Sequence, residues 1–284
     1  MNVRELGRLT ESIHAVVYFA PEAQQAYLEL GLRGYWRGYF ASRGAALALQ
    51  SSAPSAELVT RLFGGFAPTM VARAVPEVWG IAAPTDIVAA RQEAATAALR
   101  RLIPPRIWPD DRGFPVTIPR PEVTGRPMAA AQAGLGRPDE PLAALWHDCT
   151  VLREHRGDGH LLALVEAGFT WPQPHVLLAA AGQLDANQRE YRGWSEQEWR
   201  TAASQLRDCG LLDQQDQPTP AGIALLEEIE ARTDELAAEA YAAFDADAVA
   251  QLADSLRPLA EAAAGGIPFP NAMGLRSAPP TRGG

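Results

Sequence analysis

The chain has 284 residues, 34 acidic side chains against 25 basic ones, and a net charge of −9. A hydrophobic content of 47% is enough for one large or two ordinary domains and excludes a disordered chain. The acidic balance argues against a general affinity for phosphate backbones.

Every basic residue is arginine, which points to a high-GC genome and says nothing of mechanism. Cys149 and Cys209 lie in largely apolar helical contexts, so neither a disulfide framework nor a thiolate metal site is expected. No basic segment leads into an apolar run at the N-terminus. Charged residues also interrupt every hydrophobic stretch long enough to cross a bilayer. The sequence therefore reads as soluble and cytoplasmic, with no membrane partner.

Val3, Leu6, Leu9, Ile13, Val16 and Val17 recur at helical spacing, and Pro21 closes that helix or begins the next, which runs to Leu30 before Gly31. Gly34-Tyr35-Trp36-Arg37-Gly38-Tyr39-Phe40 reads as a short aromatic helix interrupted by glycine, suited to a pocket wall. Helices follow at 55–63, 68–75 and 84–102, each with a cap or a first-turn proline. The prolines from 104 to 141 break all periodicity. A helical domain over 1–103, a Pro-rich crossover over 104–140 and a second domain over 141–274 are expected, with a disordered tail over 275–284.

The second half restarts with a helix carrying Leu142, Leu145, Trp146, Cys149 and Leu152. It is expected to end near His155, with a new helix starting at Asp158. A short helix at 174–181 comes next. Ser195 then opens a helix that ends at Gly210, Leu211-Leu212 begins a strand, and Asp213 to Pro218 forms a polar tip. Thr219-Pro220-Ala221-Gly222 leads into a long amphipathic helix. This order resembles MarR-type winged helices. The expected fold is mainly α: a helical N-terminal domain plus a winged-helix-like C-terminal domain with a small β-hairpin wing. At the positions where such a fold meets DNA the sequence places Glu196, Glu198, Asp213 and Asp216, with only Arg200 nearby, so DNA binding is the less favoured reading.

The chain also resembles, over nearly its full length, an actinobacterial family of helix-turn-helix proteins. The matching stretches are 14–22, 34–40, Phe66-Ala67-Pro68, 152–160 and 266–271. The resemblance implies the same pairing of a helical domain with a winged-helix-like one, and no particular reaction.

Two clusters could carry chemistry. In Arg153-Glu154-His155-Arg156-Gly157-Asp158-Gly159-His160, the histidines could serve as acid and base, oriented by Asp158 or Glu154. Arg153 and Arg156 would then hold an anionic group. The bland alternative is a polar helix junction. In the second cluster His14, Tyr18, Tyr35, Trp36, Arg37 and Tyr39 are expected to wall a pocket for an organic ligand, against the alternative of aromatic core packing.

His155 and His160 are five apart, unlike the one-face spacing of a zinc helix, and no paired-cysteine haem motif or nucleotide fingerprint occurs. No cofactor is expected, although haem or a divalent metal stays open at this point. The favoured reading is a protein that binds a small organic ligand between its two domains, with acid/base chemistry of an isomerase, cyclase or hydrolytic type in specialised metabolism. The rival is a ligand-responsive DNA-binding regulator of MarR type, dimeric through its terminal helices.

Overall fold

The computed structural model describes residues 2–108, 116–185 and 187–275. Among them the regular elements are all helical. Helix α1 (Val3–His14) begins where the Asn2 side chain accepts the Glu5 N–H, and it buries Leu6, Leu9 and Ile13. Pro21 opens a separate helix: α2 (Val16–Phe19) is a single turn, and α3 (Pro21–Glu29) follows with proline in its first turn.

The aromatic stretch is longer than expected. Helix α4 (Tyr35–Gln50) starts at Gly34, whose φ of 93° favours glycine, and runs straight through Gly38. A Cβ at residue 38 would lie 2.8 Å from the Tyr27 ring, so this glycine makes room for α3 to approach. Helices α5 (Ala56–Phe63), capped by Ser55, α6 (Pro68–Val71) and α7 (Pro84–Leu102) complete the first part.

Within the Pro-rich stretch, α8 (Pro127–Ala133) is helical, and Trp108 donates its indole N–H to the Ile103 carbonyl at 2.7 Å. Ile107, Trp108, Val116 and Ile118 pack against the core. The expected disordered tail falls, but for Leu275, outside the described residues.

Helix α9 (Pro141–Glu166) is the axis of the molecule: α1, α7, α8 and α13 (Pro220–Ala238) all pack on it. The expected helix boundary between His155 and Asp158 does not occur, because α9 is continuous for 26 residues. A glycine inside a helix costs roughly 1 kcal/mol, and Gly159 shows what offsets it. A Cβ there would overlap the Arg126 guanidinium and lie 3.3 Å from the Leu236 Cβ of α13. The last helix, α14 (Ala246–Ala264), returns to cover α1. One continuous core therefore includes residues from Val3 to Met273.

A smaller core joins α10 (Gln173–Ala180) to α12 (Glu196–Asp208) through Val176, Leu177, Ala202, Ala203, Leu206 and Leu212. The one-turn helix α11 (Gln188–Tyr191) lies between them. Helix α12 starts with a full capping box, Ser195 and Glu198, as its sequence predicts.

The small β-hairpin wing is not seen among the described residues. The segment between α12 and α13 holds a single antiparallel bridge, Leu212 to Pro218. Its two bonds run from the Asp213 N–H to the Gln217 carbonyl at 2.9 Å and from the Thr219 N–H to the Leu211 carbonyl at 3.1 Å. Asp213 instead draws the tip shut, with its carboxylate accepting the backbone N–H groups of Gln215 at 2.8 Å and Gln217 at 2.9 Å.

Candidate functional site

Helices α2, α3 and α4 flank a solvent-open pocket of about 390 Å³ lined by Val17, Tyr18, Gln24, Tyr27, Leu28, Leu32, Gly34, Tyr35, Gly38, Tyr39 and Ser42. Four of these are tyrosines. Their hydroxyls differ in what they can offer a ligand, and the protein's own hydrogen bonds decide how.

Tyr18 faces His14, its Oη lying 2.8 Å from Nε2, while His14 Nδ1 lies 2.9 Å from Thr150 Oγ1. Thr150 spends its one hydroxyl proton on the Trp146 carbonyl at 2.8 Å, so its oxygen must accept from Nδ1–H. His14 is thereby fixed as the Nδ1–H tautomer, and Nε2 accepts the Tyr18 proton. Burial holds His14 well below the usual histidine pKa, and the charges of Arg153 and Arg91 push the same way, so the ring is neutral. Burial likewise raises Tyr18 above the ordinary tyrosine pKa.

Tyr39 has the opposite polarity. Its oxygen accepts from Arg43 Nη1 at 3.2 Å, which leaves the hydroxyl proton free. Arg43 also donates to fully buried Glu154 through Nε at 3.1 Å and Nη2 at 2.8 Å. Arg153 joins Glu154 to Glu11, with both contacts at 2.9 Å. Burial alone would raise the Glu154 pKa, but the two guanidinium groups outweigh it and hold the carboxyl well below its ordinary range. The Tyr35 hydroxyl is buried without a hydrogen-bond partner. Tyr27 lies beside Ser42, whose hydroxyl donates to the Tyr39 carbonyl at 3.2 Å and whose oxygen is left to accept from Tyr27.

The structure therefore gathers His14, Tyr18, Tyr35 and Tyr39 in or just behind one cavity wall, with Arg153 and Glu154 a layer further in. Trp36 packs behind it, edge-on to Phe66 at 5.5 Å between ring centroids. Arg37 lies outside, paired with Glu77 at 2.9 Å.

The rest of the polar cluster on α9 disperses around the helix. Arg156 pairs with Glu230 and Asp234, both at 2.7 Å. His155 is buried, and burial, then Arg126, lowers its pKa to about 4. Asp158 accepts the backbone N–H groups of Met128 and Ala129, each at 3.0 Å, and so caps α8 from a distance. Burial raises its pKa to about 6. His160 Nδ1 lies 3.0 Å from Thr233 Oγ1 of α13.

Sequence reasoning missed Tyr27, Ser42, Thr150 and Arg43. Of these, Arg43 left a signal, four residues beyond Tyr39 and so on the same helix face. Among the described residues, no group of three or more His, Cys, Asp or Glu side chains is placed to hold a metal ion. No helix there is long and apolar enough to cross a membrane.

The segment from α12 through α13 offers little positive surface. Arg200 pairs with Glu196 and Arg207 with Asp216, while Arg232 bonds Glu166 at 3.0 Å and Glu235 at 3.1 Å. Fold and site together define a mainly helical protein with a tyrosine-walled pocket between α2, α3 and α4. The chain belongs to a helix-turn-helix family, which it matches over residues 3–270. No curated protein and no solved structure matches it.

Proposed function

We propose that this protein binds a small, ring-bearing organic molecule in the cavity between α2, α3 and α4, on a helix-turn-helix scaffold. The observation that carries this reading is a pocket of about 390 Å³ walled by four tyrosines, of which Tyr35 has a buried hydroxyl with no protein partner and Tyr39 a hydroxyl proton left unused. Buried polar groups are normally paired, and concave apolar walls with a few convergent polar groups are the usual make-up of a ligand site. Any acid/base step on the molecule would fall first to Tyr18 with His14 and to Tyr39 with Arg43, because these hydroxyls line the chamber. His155, Asp158 and His160 have packing partners elsewhere.

Native mass spectrometry of the freshly purified protein, followed by thermal shift against a panel of cyclic organic compounds, tests the reading. A retained organic mass or a saturable stabilisation that Tyr35→Phe or Tyr39→Phe weakens supports it. No retained mass and no stabilisation by any compound would sink it.

A second reading, a ligand-responsive DNA-binding regulator, draws on the family match and on α12, whose exposed face stands free behind its capping box. The paired arginines oppose it. A salt-sensitive gel shift on DNA flanking the protein's own gene, lost in Arg200→Ala, would establish it.

A further inference from the structure

We infer that the pocket takes a neutral, hydroxylated ring compound, which gives a hydroxyl proton to the Tyr18 oxygen and accepts one from Tyr39. This rests on the ligand-binding reading above and names the chemistry of its ligand.

The first observation is that Tyr18 has no proton to offer. The bonds behind it run one way: Thr150 donates to the Trp146 carbonyl at 2.8 Å, His14 Nδ1–H to Thr150 Oγ1 at 2.9 Å, and Tyr18 Oη–H to His14 Nε2 at 2.8 Å. Thr150 and His14 are both fully buried. A carbonyl can only accept, so the one at the far end of this chain sets the direction of every proton in it. What Tyr18 has left is an oxygen lone pair, and no donor reaches it among the described residues. Tyr27 has the same polarity, because its hydroxyl lies beside the Ser42 oxygen, whose own proton goes to the Tyr39 carbonyl.

The second observation is that Tyr39 is the reverse. Its oxygen accepts from Arg43 Nη1 at 3.2 Å, and its proton has no acceptor among the described residues. The Tyr18 and Tyr39 rings both line the pocket and lie 5.4 Å apart between centroids. The unpartnered Tyr35 hydroxyl can act either way. An acceptor and a donor thus stand side by side, and no charged side chain joins them in the lining. Hydroxyl groups answer both, since each carries one proton and two lone pairs. A carboxylate has no proton for Tyr18 and would set its charge against that oxygen. An ammonium has no lone pair for Tyr39. A buried polar group left unpaired is costly, so the pattern selects among ligands of one shape.

Isothermal titration of the full-length protein at neutral pH with naphthol, methoxynaphthalene and naphthoate separates these cases, because the ether can accept but not donate and the acid is charged. Naphthol should bind about tenfold tighter than methoxynaphthalene, the worth of one satisfied hydrogen bond, and tighter than naphthoate. Tyr18→Phe should bring naphthol down to methoxynaphthalene and leave the ether's own affinity unchanged, whereas a difference of size alone would persist. Tyr39→Phe removes a donor that both neutral probes use and should weaken the two about equally. It leaves Arg43 its two bonds to Glu154, which gives a second readout if Tyr18→Phe does not fold. Methoxynaphthalene or naphthoate binding as well as naphthol, or a naphthol advantage that survives Tyr18→Phe, would overturn the inference and leave the ligand-binding reading standing. Binding of none of the three would overturn it and count against that reading as well.

Discussion

Replacing Glu154 by Gln strikes the most deeply buried carboxylate among the described residues. Glu154 is fully buried and accepts three hydrogen bonds from charged donors, two from Arg43 and one from Arg153. Glutamine keeps one acceptor oxygen but turns an NH₂ group toward guanidinium groups that can only donate, so at least one of the three bonds is lost and a donor faces a donor. Arg43 then remains in the interior without a carboxylate, while Arg153 keeps Glu11. Breaking one partner of a buried ion pair costs about 3–5 kcal/mol, and a value near 4 kcal/mol corresponds to a fall in melting temperature of roughly 7 °C for a chain of this length.

The acid response gives an independent check. The folded pKa of Glu154 is depressed, so its contribution is present above the ordinary glutamate pKa and fades as pH falls through the lower folded value. Urea unfolding of wild type and Glu154→Gln, followed by circular dichroism, should show the gap at neutral pH and a narrowing gap in strong acid. A difference below about 1 kcal/mol at neutral pH would refute the reasoning, because it would mean the network is solvated rather than buried.

Other substitutions separate packing from chemistry. Asp158→Asn leaves an oxygen for the Met128 and Ala129 N–H groups. The folded pKa of Asp158 is raised to about 6 from 3.8, so its stabilising contribution is lost as pH rises through that interval. The Asn variant should therefore gain on the wild type from about pH 4 to about pH 7, by up to about 3 kcal/mol, and a gap independent of pH would contradict this. Asp158→Ala should instead cost about 1–3 kcal/mol by uncapping α8. His160→Ala removes the bond to Thr233 and should lower stability by about 1 kcal/mol without changing ligand affinity in titration; lost affinity would bring His160 back to the site. Gly159→Ala pushes a methyl group into Arg126 and should cost about 1–3 kcal/mol, readable as a lower melting temperature.

Much of the fold was legible in the chain. The capping box at Ser195, proline at the first turns of α3, α6 and α7, and the helical spacing of α1 fix those helices locally. What misled was local chemistry whose purpose is distant. Gly157, Asp158 and Gly159 look like a helix break because glycine and aspartate favour turns. In the folded chain Asp158 caps a helix some thirty residues away in sequence, and Gly159 yields space to Arg126, and no local signal reveals either. The wing failed for a related reason, since a pair of leucines and a polar tip are as compatible with an Asp213-closed loop as with a hairpin. In the aromatic wall His14, Tyr18, Tyr35 and Tyr39 could be read from residue type. Tyr27 and Ser42 could not, because only the crossing of α3 over α4 at Gly38 brings them there.

The segment between α10 and α12 is stitched to the chamber's far wall. Trp194 donates its indole N–H to the Gly65 carbonyl at 2.9 Å, the Arg192 carbonyl accepts the Ala67 N–H at 2.9 Å, and the Arg192 guanidinium covers Phe66. Phe66 in turn touches Trp36 and Tyr39. The residues leading into α12 are thus anchored at both Trp194 and Arg192, against the loop that carries Phe66. In this architecture one tryptophan and one arginine moor the leading end of a surface-facing helix to the aromatic rings behind the pocket.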